Sequence, residues 1–174
     1  MKAHVWQLRS RRCYGIIERA FYRACGRDGS RLCHYSIQHN HVHLVVEAEN
    51  PVALARALQA LTIRVAKGLN KLMGRKGAVF ADRYHARTLR TPTEVRNVLV
   101  YVLNNARKHG LTVDMRPGPM WLDPYSSADW FTGWTTAGPP RHGPAPVAPP
   151  ATWALQAGYL RAGGPIRPDE APRT

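Results

Sequence analysis

In the stretch SIQHNHVHLVVEAEN, residues 36–50, histidines occupy every second position at His39, His41 and His43 and lead directly into an apolar run. Alternate residues of a strand share one face. His41 and His43 therefore project two imidazoles side by side, a spacing suited to chelating one metal ion. Two ligands rarely hold a divalent ion, so a third must come from elsewhere in the fold. YVLNNARKHG offers one, because the Asn105 amide oxygen lies one helical turn after Tyr101. A site joining that helix to the histidine strand would bring a phenol beside the metal, an arrangement suited to phosphoryl transfer. The cation would polarise a phosphodiester while Tyr101 attacked phosphorus and kept the cut end as a covalent phosphotyrosine. A free Tyr has a pKa of about 10, so the cation and neighbouring Arg and Lys would have to activate it.

Each residue also has a plainer reading. A His-x-His pair in a strand is more often hydrogen-bonded or part-exposed than metal-bound. Tyr101 alone reads as a core aromatic, and Asn105 as a helix-surface residue. With His39 included, the three histidines could instead form a zinc site without any tyrosine, provided the strand ran unbroken through Asn40.

The elements that would position these residues follow from periodicity. Ile16, Ile17, Ala20, Phe21 and Ala24 recur at helical spacing between Cys13 and Cys25, and GRDGS then turns the chain. RLCHYSIQ and HVHLVVEAE read as two strands. In the second, Val42, Leu44 and Val46 take one face and His41, His43 and Val45 the other. Asn50 and Pro51 start a long amphipathic helix over 52–73, with Leu54, Leu58, Leu61, Val65, Leu69 and Leu72 in one stripe. AVFADRYHARTLR, 78–90, reads as a further strand with Arg83, His85 and Arg87 lining one face, placed for phosphate contacts. In TPTEV, Thr91 as N-cap, Pro92 at the first helical position and Glu94 form a capping box. The helix it opens runs to about Lys108, burying Val95, Val98, Leu99, Val102 and Leu103, with Asn97, Tyr101, Asn105 and Lys108 as a polar stripe beside that face.

Charge and proline divide the chain near Gly110. Residues 1–110 hold 20 of 25 Lys and Arg but 6 of 11 Asp and Glu, and so carry the entire net charge of +14. The remaining residues hold 12 of the 14 prolines and no net charge. An anionic partner is implied, and cations interleaved with aromatics favour nucleic acid. No apolar run of about 18 residues exists and no signal peptide is recognisable, which argues against a membrane and for the cytoplasm. Three cysteines without CxxC spacing indicate neither a disulfide framework nor a zinc site.

In order and spacing, NHVHLVV, the long helix, FADRYHARTL and YVLNNARKHG resemble the single-tyrosine transposases of the HUH superfamily, in particular the REP-associated, insertion sequence 200-like group. The resemblance spans about residues 31–110. It implies an α+β fold with a ferredoxin-like antiparallel sheet packed by helices. It further implies that His41 and His43 with Asn105 bind Mg or Mn, that Tyr101 is the nucleophile, and that single-stranded or hairpin DNA is cut through a 5′-phosphotyrosine in DNA transposition. Arg83, His85, Arg87, Arg64, Lys67 and Lys108 are the expected DNA contacts, and a homodimer is an expected assembly. Two departures stand out: Ala106 replaces the usual proline, and the residues before the first helix, with HVWQL, are a short substitute for the family's opening strand. The expected organisation is a catalytic domain over 1–112 lacking that strand, and a tail over 113–174 ordered near 121–134 and otherwise extended or disordered. The rival readings are a DNA-binding remnant that no longer cuts and a zinc-stabilised RNA-binding module.

Overall fold

The computed structural model describes residues 1–2, 5–26, 29–108, 118–136 and 143–172, with the Lys108 side chain outside that set. The expected domain boundary, at 110–112, also lies outside the described residues. Helix α1 (Arg11–Ala24) begins where the Ser10 hydroxyl accepts from the Cys13 N–H at 3.3 Å, and buries Cys13, Ile17, Ala20 and Phe21 on one face. Strands β1 (Ser30–Ile37) and β2 (Val42–Ala48) pair antiparallel. Helix α2 (Pro51–Leu72) is capped by Asn50, whose side chain accepts from Ala53 N–H at 2.9 Å. Helix α3 (Pro92–Lys108) opens on the expected capping box: Glu94 N–H donates to the Thr91 hydroxyl and Thr91 N–H to the Glu94 carboxylate, both at 3.2 Å. Helix α4 (Trp153–Gln156) and 3-10 turns at Ala128–Trp130 and Gly158–Ala162 follow.

The α+β class and an antiparallel sheet packed by helices agree with the sequence, and among the described residues the sheet has two strands in the order β1-β2. Its faces are covered differently. Leu32, Tyr35 and Ile37 of β1, with Val42, Leu44 and Val46 of β2, meet α1 and α2, where the Phe21 and Tyr35 rings lie 4.5 Å apart. Cys33 and Val45 meet Val95, Leu99, Val102 and Leu103 of α3. A register shift between Leu32 and His34 is what lets Leu32 and Tyr35, three residues apart, enter the same core. The extra residue of a bulge resets the alternation at that point.

Three sequence expectations are corrected. The strand over 78–90 is absent, for residues 81–90 form no strand and 81–88 are all exposed. Neither alternating set there, Arg83/His85/Arg87 or Asp82/Tyr84/Ala86, is apolar, so no face exists to bury. The second correction concerns the polar stripe on α3, which is not a surface feature: Asn97 is exposed, Tyr101 half-buried and Asn105 fully buried. The third concerns the tail, whose described residues are not simply extended. Leu155, Tyr159 and Ile166 join the α3 core, and Arg96 on α3 is ion-paired with Glu170 at 2.5 Å.

Tail residues also close the outer edge of β1. Ile37 N–H donates to Tyr125 O at 2.9 Å, Ser127 N–H to Tyr35 O at 3.0 Å, and Ala148 N–H to Leu32 O at 2.8 Å. The Ser127 hydroxyl accepts from Tyr35 N–H at 3.0 Å. A bidentate pair between Arg9 and Asp123, at 2.9 and 2.8 Å and almost wholly buried, locks the segment before α1 to this edge, and Arg9 also donates to Ile37 O. An open β-edge invites pairing with other chains. Here the described residues before α1 hold no strand, and the tail occupies that edge.

Candidate active site

The turn between the strands separates the three histidines. Gln38 N–H donates to His41 O at 2.9 Å, closing a turn in which His39 is exposed and lies outside the strands. His41 stands just before β2 and His43 within it, on the face turned toward α3 as the alternation requires. Their Nε2 atoms are 3.0 Å apart, and His41 Nδ1 lies 2.8 Å from Asn40 Oδ1. Tyr101 of α3 reaches the pair, with its hydroxyl 3.5 Å from His43 Nε2 and its ring edge-on to that imidazole at 5.0 Å. Helix α3 packs on both strands, so a residue at the middle of the helix and one at the start of β2 meet through the core rather than through a loop.

The adjacent asparagines of α3 have different tasks. Asn104 donates to Arg167 O at 3.1 Å and Glu170 O at 2.9 Å, holding the tail. Asn105 is 0% exposed, and neither its amide oxygen nor its nitrogen has a hydrogen-bond partner among the described residues. An unsatisfied buried amide costs about 1–3 kcal/mol. The amide oxygen, one turn beyond Tyr101, is therefore available as a donor atom. The 3.0 Å between the two Nε2 atoms is a hydrogen-bond distance and also a span that one ion could bridge. Among the described residues no group of three or more His, Cys, Asp or Glu could hold a metal. The donors the sequence pointed to are two imidazole nitrogens, from His41 and His43, and one amide oxygen, from Asn105, a mixed nitrogen and oxygen set that a divalent cation could accept.

Sequence reading missed a buried polar file behind the histidines. Ser36 pairs in register with His43, and the next alternate residue is Gln38. Both are buried, with Gln38 Nε2 donating to Ser36 Oγ at 2.6 Å and Gln38 Oε1 left without a partner among the described residues. His34 continues the file, its Nδ1 lying 3.3 Å from Ser127 Oγ and its ring against Phe131 at 5.5 Å. Burial pushes His34 down to about 4, outweighing the upward pull of Glu47. The signal was available in CHYSIQ, where His34, Ser36 and Gln38 alternate with Tyr35 and Ile37 on a strand too apolar to be an exposed edge.

The expected DNA contacts lie on different segments of the chain. Arg64 and Lys67 are exposed on α2, while Arg83, His85 and Arg87 are exposed on the segment leading to α3. Arg87 is ion-paired with Glu94 at 2.7 Å, a contact 71% exposed on the arginine side and therefore exchangeable for a phosphate.

The α+β domain thus sets a tyrosine against a histidine pair. Residues 5–105 match the family described as Transposase IS200 like, and the chain belongs to that family. It is thus a transposase, and a DNA-binding protein. No curated protein and no solved structure matches it. No helix among the described residues is long and apolar enough to cross a membrane.

Proposed function

We propose that the chain is a single-tyrosine HUH transposase, of the REP-associated type, that nicks and rejoins single-stranded or hairpin DNA through a 5′-phosphotyrosine. The observation that carries this reading is the Tyr101 hydroxyl 3.5 Å from His43, itself 3.0 Å from His41. His41, His43 and the Asn105 oxygen would hold Mg or Mn, which when bound polarises the scissile phosphate and stabilises charge on its oxygens. Tyr101 Oη forms a bond to phosphorus as the bond to the 3′ oxygen breaks. The phenolic proton goes to solvent, and the departing oxygen takes up a proton to become a free 3′-OH. Attack by a 3′-OH on the phosphotyrosine reverses the step and transfers the strand. Packing in the α3 core holds the Tyr101 ring against rotation, so the nucleophile is positioned before substrate arrives. Exposed Arg64, Lys67, Arg83, His85 and Arg87 bind the backbone, which makes affinity fall with salt.

The test is covalent trapping of a hairpin oligonucleotide from the gene's flanking repeats, with Mn present. The wild-type chain forms a denaturant-resistant adduct, and Tyr101→Phe and His41→Ala do not, although both still bind DNA. An adduct persisting in Tyr101→Phe refutes the mechanism. Binding without any adduct, indifferent to His41→Ala, identifies the DNA-binding remnant instead.

A further inference from the structure

We infer that Tyr84 is a base-stacking residue, and that the exposed arm carrying it selects unpaired DNA over duplex; this rests on the reading of the chain as a single-strand transposase. The arm is fixed at both ends and bare between them. At its start Val79 is 1% exposed in the α1–α2 core, with Val79 O accepting from Lys2 N–H at 3.0 Å. At its end Leu89 packs in the α3 core, and the Glu94 carboxylate takes Arg90 N–H at 2.7 Å. All eight residues from Ala81 to Thr88 are exposed. A segment pinned in this way loses less entropy on binding than a free loop would.

Tyr84 is 49% exposed in the middle of the arm, an aromatic ring kept in water on a segment with no apolar face of its own. Two other exposed aromatics have partners within the chain: the face of Trp153 is covered by the Arg161 guanidinium at 5.3 Å, and the Tyr22 hydroxyl is bound to Pro144 O at 2.8 Å. Within the arm and its end the exposed charges are Arg83, Arg87 and Arg90 against Asp82, with Arg87 paired to Glu94 of α3 and His85 next in sequence. An aromatic among cations on a segment that is neither helix nor strand fits single-stranded nucleic acid, since cations track phosphates and every unpaired base offers a face to stack on. Duplex DNA withholds those faces, so the ring discriminates where the cations cannot. The arm leads directly into α3, so DNA held there lies next to the N-terminal end of the helix that carries Tyr101.

The probe is a fluorescein-labelled homothymidine oligonucleotide, compared with its abasic counterpart and with its duplex with homoadenosine, in an anisotropy titration over several salt concentrations. Stacking predicts that Tyr84→Ala weakens binding of the thymidine strand about tenfold, that Tyr84→Phe binds within about twofold of wild type, and that the salt slope is unchanged. On the abasic strand and the duplex, wild type and Tyr84→Ala bind alike. Equal binding of the thymidine strand by wild type and Tyr84→Ala overturns the stacking role alone. An equal loss on the abasic strand, or a flattened salt slope, also overturns it, because the ring would then be acting through backbone contacts. A wild-type chain that binds duplex but not single strands overturns the single-strand reading itself. Circular dichroism of Tyr84→Ala matches wild type, since the side chain supports no core contact.

Discussion

Replacing Asn105 by leucine separates a catalytic role from a structural one, because the two predict opposite changes in stability. Asn105 is 0% exposed with both amide atoms unpartnered among the described residues. Leucine has the same number of side-chain heavy atoms and no polar ones, but its methyl groups are bulkier. Without metal the substitution therefore relieves the desolvation penalty of two groups, each about 1–3 kcal/mol, less an overpacking cost of about 1–3 kcal/mol. A net gain of about 2 kcal/mol raises the melting temperature by about 4–8 °C for a chain of this size. A structural asparagine behaves in the opposite way, and its loss costs about 1 kcal/mol or more.

Metal then inverts the order. At a Mn concentration a hundredfold above its Kd, binding to the native state alone stabilises the wild-type chain by about 2.7 kcal/mol. Asn105→Leu, left with two ligands, gains far less. The assay is differential scanning fluorimetry of both proteins in chelator and across a Mn titration. The variant is the more stable in chelator, and the gap closes or reverses as metal is added. If Asn105→Leu melts below wild type in chelator and both gain equally from Mn, Asn105 is a structural residue and the donor set is wrong.

Other perturbations follow from single contacts. His34 is held near 4 by burial, against 6.5 for the free side chain, so the unfolded chain takes up a proton that the folded chain refuses. Stability is full above pH about 6.5 and falls by about 3 kcal/mol as pH drops toward 4; in urea melts His34→Gln removes most of that slope, and an unchanged slope rules out a neutral buried His34. Asp123→Ala strands the buried Arg9 guanidinium without its carboxylate and costs about 3–5 kcal/mol, a fall in melting temperature of about 10 °C. Asp123→Ala within 2 °C of wild type by calorimetry, about half a kcal/mol, shows that the tail does not hold the β1 edge. Gly68→Ala on α2 drives its new Cβ into the Cγ2 methyl of Ile16 on α1. The helix-propensity gain of about 1 kcal/mol is smaller than an overpacking cost of about 1–3 kcal/mol, so chemical denaturation reads a net loss.

What was legible in the sequence was local. The capping box at Thr91 and Glu94, the Asn50 cap and the helical stripes of α1, α2 and α3 are signals within a few residues, and all three helices form within a residue or two of their expected ends. The pairing of Tyr101 with His43 was legible for a related reason: strand alternation set the face of one residue and helical spacing the face of the other. The bulge at Cys33 was not, since a period-two pattern carries no mark of an extra residue. The arm at 81–88 was misread because alternating cations mimic the period of a strand without the apolar face that makes one. The tail's contacts on β1 join residues about ninety or more positions apart, as Tyr35 with Ser127 or Arg9 with Asp123, and no window of sequence contains them.

The choice between Asn104 and Asn105 shows how far that long-range information reaches into the site. The two are neighbours, three and four residues beyond Tyr101, and helical spacing makes either a candidate. The tail decides between them, because Arg167 and Glu170 present carbonyls that consume the Asn104 amide. Asn105, turned away from those carbonyls, keeps its amide unspent. A tail that reads in sequence as a proline-rich appendage thus closes the sheet edge that carries Ser36 and Gln38 and engages the one asparagine that could compete for the site. Loss of the Arg9–Asp123 lock should therefore disturb metal affinity as well as stability, because the same tail binds the back of the histidine ribbon and the helix that carries Tyr101.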